Sequence, residues 1–251
     1  MRIFLTLLRR ELAAFFFSLT GYVIIAGVTL VVGSTFMMFI HNLGAQPISM
    51  PMTELFFNSQ LFWIVLMLVA PVITMRLFAL EKATGTFETL MTTTVGDVQV
   101  VAAKFSAALI FYAVVWLPTI GCLFIVRHFT NQPGALDAGT LGGTCAGIFL
   151  CGCLFLAMGC FASSLTRSQV VAAMISLAAG VILFIVAYEA QPPLAMGEQW
   201  QAQVLAYFDL FGQMENFTRG VVDTRVVIFY ASATFFFLFL TLRAVESRRW
   251  K

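Results

Sequence analysis

Long apolar stretches alternate with short polar segments along the whole chain. A helix needs about 20 mostly apolar residues to cross a hydrocarbon core of about 30 Å, and six stretches meet this requirement. They cover residues 19–40, 57–75, 105–126, 141–161, 170–188 and 226–242. The pattern predicts an all-α integral membrane protein with six transmembrane helices, in which residues 1–251 form a single transmembrane domain.

The first 18 residues follow a different, amphipathic pattern. Apolar side chains recur at helical spacing, at Leu5, Leu8, Leu12 and Phe15 or Phe16. Basic side chains lie largely on the opposite face, at Arg2, Arg9 and Arg10. This pattern is typical of a basic helix that lies along a lipid surface, so residues 1–18 are predicted to form an interfacial helix before the first span.

A polar segment of unusual length, residues 76–104, separates the second and third spans. The second helix is expected to run on past Arg76 into Glu81 and Lys82, until Gly85 interrupts it. Thr86 then suits the N-cap of a new helix, and Glu88 falls in its first turn, where a carboxylate complements the helix dipole.

This new helix carries one apolar stripe, formed by Phe87, Leu90 and Met91 at i, i+3 and i+4. A helix of about two turns is not stable alone in water, so it must lie on lipid headgroups or on another protein. Its exposed face has few basic residues, whereas a helix attracted to anionic lipid is expected to carry them. The composition therefore favours docking to a protein partner over an interfacial position.

A third amphipathic segment lies between the fifth and sixth spans, within residues 189–225. Large apolar side chains repeat there about every four residues, at Trp200, Val204, Phe208 and Phe211. The pattern predicts a helix that packs back against the rim of the bundle.

The distribution of Lys and Arg predicts the orientation of the chain. Of the 14 Lys and Arg residues, all except Arg127, Arg219 and Arg225 fall on one side of the predicted bilayer. Positive residues in short loops are retained in the cytoplasm, so both termini and the 76–104 loop are predicted to be cytoplasmic, and the 189–225 segment extracytoplasmic.

The sequence lacks the residues that several classes of function require. The net charge of +2 gives no electrostatic basis for a nucleic-acid partner. The predicted spans hold no ionisable residues away from their ends, and His41 and His128 fall at span ends, where a structural role is favoured over a ligand role. The five cysteines lie in apolar runs without nearby histidines, so no metal site is expected. The sequence also has no phosphate-binding GxxxxGK[ST] motif.

Small residues in the fourth span predict close helix packing. Gly143 and Gly147 form a small-xxx-small pair, and Gly152 and Gly159 lie one heptad apart. These residues can face either other helices of the same chain or a second copy, and packing within the chain is the favoured interpretation.

Three stretches carry a resemblance to a known family: residues 9–25, residues 70–105, whose core reads MRLFALEKATGTFETLMT, and residues 217–250. In these stretches the chain resembles the ABC-2 type permeases, the membrane subunits of ATP-driven exporters. The last stretch is most similar to the gliding-motility-associated branch.

The resemblance implies a non-catalytic subunit without a cofactor of its own. ATP and Mg would be bound by a separate ABC ATPase, present in two copies on the cytoplasmic side. The coupling residues implied by the resemblance, together with the apolar stripe, are Arg76, Glu81, Gly85, Thr86, Phe87, Glu88, Leu90 and Met91.

The resemblance further implies a bacterial inner membrane and a second copy of the permease or a homologous one. For the gliding-motility branch it implies an added membrane protein with a large extracytoplasmic domain. The alternative hypothesis is a scaffold or force transmitter that uses ATP without moving a substrate. A membrane enzyme is the third hypothesis, and it lacks candidate catalytic residues.

Overall fold

Nine helices account for the regular structure of the described residues, and no strand occurs among them. The computed structural model describes residues 2–43, 59–87, 96–130, 138–190 and 207–247. Five helices are long: α2 (Leu19–Leu43), α5 (Asp97–Thr130), α6 (Ala138–Leu165), α7 (Gln169–Glu189) and α9 (Thr224–Glu246). Four are shorter: α1 (Arg2–Phe16), α3 (Gln60–Thr74), α4 (Ala79–Thr84) and α8 (Leu210–Thr218).

The long apolar helical segments correspond in number and position to the membrane spans that the sequence predicts. Within the described ranges, six helical segments are long and apolar enough to cross a bilayer, and the second of them, Leu61–Thr84, combines α3 with α4. The all-α fold and the number of spans are therefore confirmed.

The third span begins earlier than predicted. Helix α5 starts at Asp97 rather than at residue 105 and has 34 residues, which corresponds to a length of about 51 Å. A helix of this length is longer than a hydrocarbon core of about 30 Å requires. The prediction missed its first two turns because Asp97, Gln99 and Lys104 lower the local hydropathy, although Val100 and Val101 between them are buried.

The sequence predicts that the second helix continues unbroken into Glu81 and Lys82, but in the structure it is interrupted. Helix α3 ends at Thr74, residues 75–78 form turns, and the chain becomes helical again in α4. Ser163 of α6 explains the break, because its hydroxyl accepts hydrogen bonds from the backbone N–H groups of Phe78 and Ala79, each at 3.1 Å. It also donates to the carbonyl of Met75 at 3.3 Å.

Helix α6 lies at the centre of the bundle and contacts α3, α5, α7, α8 and α9. Its glycines face helices of the same chain: Gly143 and Gly147 face α8, Gly152 faces α5 and Gly159 faces α3. The prediction of close packing within the chain is therefore confirmed.

Helix α8 closes one end of the bundle. It packs against the N-terminal half of α6, whereas α4 packs beside the last turn of α6, so α8 and α4 lie at opposite ends. The Phe211 ring lies 4.9 Å from the ring of Trp63 and 5.2 Å from that of Phe184. The predicted return of the 189–225 segment to the bundle is confirmed for α8, while Trp200 and Val204 lie outside the described residues.

Candidate functional site

The predicted coupling segment is described as far as Phe87. Glu81 lies in α4, Gly85 follows that helix, and the chain is helical again at Thr86 and Phe87. Three predicted coupling residues of the segment, Glu88, Leu90 and Met91, lie outside the described residues. The site is therefore described through α4 and through the residues that hold it against the bundle.

A cluster of four charged side chains joins α4 to two other helices. We call it the charge cluster: Arg10 and Glu11 of α1, Glu81 of α4 and Lys104 of α5. The Lys104 ammonium nitrogen lies 3.0 Å from an oxygen of Glu11 and 3.0 Å from an oxygen of Glu81. The Arg10 guanidinium lies 2.7 Å and 2.8 Å from the same two oxygens.

The charge cluster ranges from buried to half-exposed. The Lys104 side chain is 2% exposed, and those of Glu11 and Glu81 are 11% and 17% exposed. The hydrogen bond to Glu11 raises the pKa of Arg10 above its ordinary value, so Arg10 stays charged. Two cations and two carboxylates balance, and this balance makes the burial of Lys104 tolerable.

The next residue of α4 is attached to a third helix. Lys82 is 8% exposed, and its ammonium group donates a hydrogen bond to the backbone carbonyl of Ser164 in the last turn of α6. A cation suits this position because the carbonyl end of a helix carries partial negative charge. The same ammonium lies 5.2 Å from the centre of the Phe87 ring, which is itself buried.

Gly85 ends α4 in a left-handed conformation, with φ of +74°. No atom lies within 4 Å of the position that a β-carbon would occupy, so the backbone angle, not space, favours glycine here. The turn separates α4, which is attached to the bundle, from the segment that begins at Thr86.

Comparison with protein-family models assigns this chain to a family. The family model for "ABC-2 family transporter protein" matches residues 12–242. The chain belongs to the ABC-2 family transporter proteins. A search of the curated proteins found no match. Membrane proteins of the ABC-2 family are generally non-catalytic, and six apolar helices are consistent with a permease subunit.

The other arginines that the sequence analysis singled out in this ABC-2 chain, Arg76, Arg9 and Arg2, occupy different surroundings. Arg76, in the turn after α3, donates a hydrogen bond to the hydroxyl of Thr20 in α2. Arg9 is exposed on α1, and Arg2 is the first residue of that helix. The side chains of Leu8, Leu12 and Phe16 pack against the core, while Leu5 is 56% exposed. The interfacial position of α1 stays a prediction.

Sequence reasoning missed four residues of the site: Glu11, Lys82, Lys104 and Ser163. Glu11 had a detectable signal, because it lies on the same helical face as Leu8 and Phe15, where a carboxylate needs a partner. No feature of the sequence pointed to Lys104 or Ser163, since a lysine and a serine at span ends are ordinary at a membrane surface.

Replacing Ser163 tests the break between α3 and α4. In Ser163→Ala the two buried N–H groups of Phe78 and Ala79 lose their acceptor, so we expect the protein to be less stable by about 1–3 kcal/mol. The matched control is Ser164→Ala, because the Ser164 hydroxyl donates only to a carbonyl of its own helix, that of Phe161. Thermal unfolding of the purified protein in detergent measures both, and equal melting temperatures would contradict the prediction.

Proposed function

We propose that the chain is the permease subunit of an ATP-driven ABC-2 transporter, and that a separate cytoplasmic ATPase acts on the segment that begins at Thr86. One observation carries this proposal. Helix α4, immediately before that segment, is joined by polar contacts to α1, α5 and α6, and the contacts to α5 and α6 are buried. A displacement applied beyond Gly85 therefore has short physical routes to three helices at this end of the bundle.

The routes differ in the helices that they reach. Through Glu81, a movement of α4 acts on Arg10 of α1 and on Lys104 near the start of the third span. Through Lys82, it acts on the last turn of α6, which is the central helix. Because residues 75–78 form a turn between the two helices, α4 can move relative to α3 while α3 stays straight.

The complex that we propose has two ATPase subunits and two permease subunits, the second permease being another copy or a homologue. ATP and Mg are bound by the ATPases, and this chain supplies the docking segment with Thr86, Phe87, Glu88, Leu90 and Met91. Both termini and this segment face the cytoplasm of a bacterial inner membrane. The Lys and Arg distribution supports this orientation.

Substitution of Gly85 tests this proposal. We expect Gly85→Pro to abolish stimulation of the partner's ATPase activity by the permease, because proline cannot adopt a φ of +74° and the docking segment would be redirected. Gly85→Asn is the matched control, since asparagine tolerates the left-handed region, and we expect it to keep most of the stimulation.

The measurement is ATP hydrolysis by the co-purified complex in nanodiscs, with membrane insertion of each variant verified by fractionation. If Gly85→Pro stimulates as well as the unmodified chain, or if no ATPase co-purifies with the permease, the proposal fails.

A force transmitter that moves no substrate is the second candidate function. It is favoured by the spans themselves, because the described parts of α2, α3, α6 and α7 hold no charged residue between their ends. The similarity of residues 217–250 to the gliding-motility branch supports an added partner with a large extracytoplasmic domain. Co-purification of such a protein, together with an absence of ATP-dependent flux in vesicles, would select this second candidate.

A further inference from the structure

A cavity of about 290 Å³ lies beside the charge cluster. The charged residues of its lining are the four cluster residues and Arg76. The apolar residues of its lining include Phe15, Leu77 and Leu80. Its volume is near the lower end of the range for small-ligand pockets. A ligand that fits this cavity therefore combines a small charged group with an apolar part.

The charges of the wall favour an anion. Three cations and two carboxylates line the cavity, which leaves one net positive charge. Within the charge cluster the charges balance, so the excess resides on Arg76, whose partner among the described residues is the neutral hydroxyl of Thr20. The Arg10 side chain is 52% exposed, and its ion pairs with Glu11 and Glu81 both use the same nitrogen, Nη2.

The cavity lies beside the ends of two helices of the bundle. Thr20 is the second residue of α2, and Arg76 is the second residue after α3. The candidate spans that contain them are Leu19–Met38 and Leu61–Thr84, so Thr20 lies at the start of one span and Arg76 lies in the last turns of the other. Arginines near span ends extend towards the lipid headgroups, so an anionic headgroup can approach Arg76 while its glycerol and acyl parts extend towards the apolar core.

We propose that this cavity binds the phosphate of an anionic phospholipid, with Arg76 and Arg10 as donors and the side chains of Phe15, Leu77 and Leu80 against its glycerol and upper acyl carbons. Guanidinium groups bind phosphate oxygens in a two-pronged geometry, which suits two arginines at one opening. Basic pockets between spans are a recurrent form of phospholipid headgroup site. The proposal concerns the isolated chain and does not depend on an ATPase partner.

Titration with phosphatidylglycerol, followed by native mass spectrometry of the detergent-purified chain, tests the proposal. We expect Arg76→Gln to weaken the tightest bound lipid by about tenfold, because one charge-assisted contact is lost. Arg10→Gln is expected to act in the same direction. Since Arg76 is outside the ion pairs of the charge cluster, its variant keeps the test informative even if Arg10→Gln fails to fold.

The matched control is Arg9→Gln, which removes an exposed charge from the same helix as Arg10 but not from the cavity wall. Unchanged lipid affinity in Arg9→Gln supports a specific site, whereas equal losses in Arg9→Gln and Arg76→Gln would show only general attraction to anionic lipid and overturn the proposal. Retained affinity in Arg76→Gln would also overturn it.

Free inorganic phosphate is the alternative ligand that could place a phosphate group in the cavity. We expect millimolar inorganic phosphate to leave the bound phosphatidylglycerol in place, because it cannot use the apolar wall. Displacement of the lipid by inorganic phosphate at that concentration would assign the cavity to a soluble phosphate and contradict the lipid proposal.

Discussion

Lys104→Met is expected to destabilise the protein by about 3–5 kcal/mol, which in a chain of this size lowers the melting temperature by roughly 6–20 °C. Lys104 is almost fully buried and bridges Glu11 and Glu81. Methionine has a similar length and keeps the apolar packing, so the loss comes from the charge. Two carboxylates then share the single cation Arg10, and one negative charge is left without compensation at the edge of the bundle.

A second substitution separates charge balance from packing. In Lys104→Met/Glu11→Gln, the remaining Arg10 and Glu81 form a neutral pair, so we expect the double variant to be more stable than Lys104→Met alone. Thermal unfolding in detergent measures both variants, beside Glu11→Gln. If the two single effects simply add, the four residues are not energetically coupled, and the charge cluster cannot serve as a mechanical link between α4, α1 and α5.

The second large effect is expected at the contact between α6 and α8. In Gly143→Ala the added β-carbon collides with the backbone carbonyl of Phe217 and lies 3.1 Å from the α-carbon of Gly220. Both neighbours are backbone atoms, and they cannot move aside as a side chain can. We expect a loss of about 1–3 kcal/mol, with α8 displaced from the end of the bundle.

The adjacent glycine is the matched control. At Gly142 a β-carbon would meet nothing within 4 Å, so Gly142→Ala adds a methyl group to the same helix without a collision. Because alanine is a better helix former, this variant is expected to gain up to about 1 kcal/mol. Melting temperatures of the two purified variants in detergent make the comparison, and a Gly143→Ala protein as stable as Gly142→Ala would show that α8 does not pack as described.

The membrane fold could be predicted from particular features of the sequence. Six apolar stretches predict six spans because backbone groups in lipid must bond within a helix, and a helix of fixed rise needs a fixed length to cross. Gly143 and Gly147 indicated a close helix contact for a local reason, the absence of a side chain. The resemblance in residues 70–105 indicated the family, and the match over residues 12–242 established it.

The boundaries were less predictable where polar residues lie on buried faces. The sequence pattern places Lys104 at the end of a span, because a hydropathy scale treats lysine as solvated. In the structure, two carboxylates from other helices allow the burial of Lys104. The break after Thr74 likewise depends on Ser163, a residue 88 positions from its partner Met75. No local pattern contains such information, since it arises only when distant segments pack together.

By itself, the sequence determined the environment of this protein, the number of its spans, and the glycine turn at residue 85, because each follows from local hydropathy or from backbone stereochemistry. Only the tertiary structure decided that Arg10, Glu11, Glu81 and Lys104 meet in one charge cluster and that Lys82 reaches α6. The physical reason is that charge pairing depends on distances of about 3 Å between atoms of different helices, and these distances are set by the packing of the whole bundle.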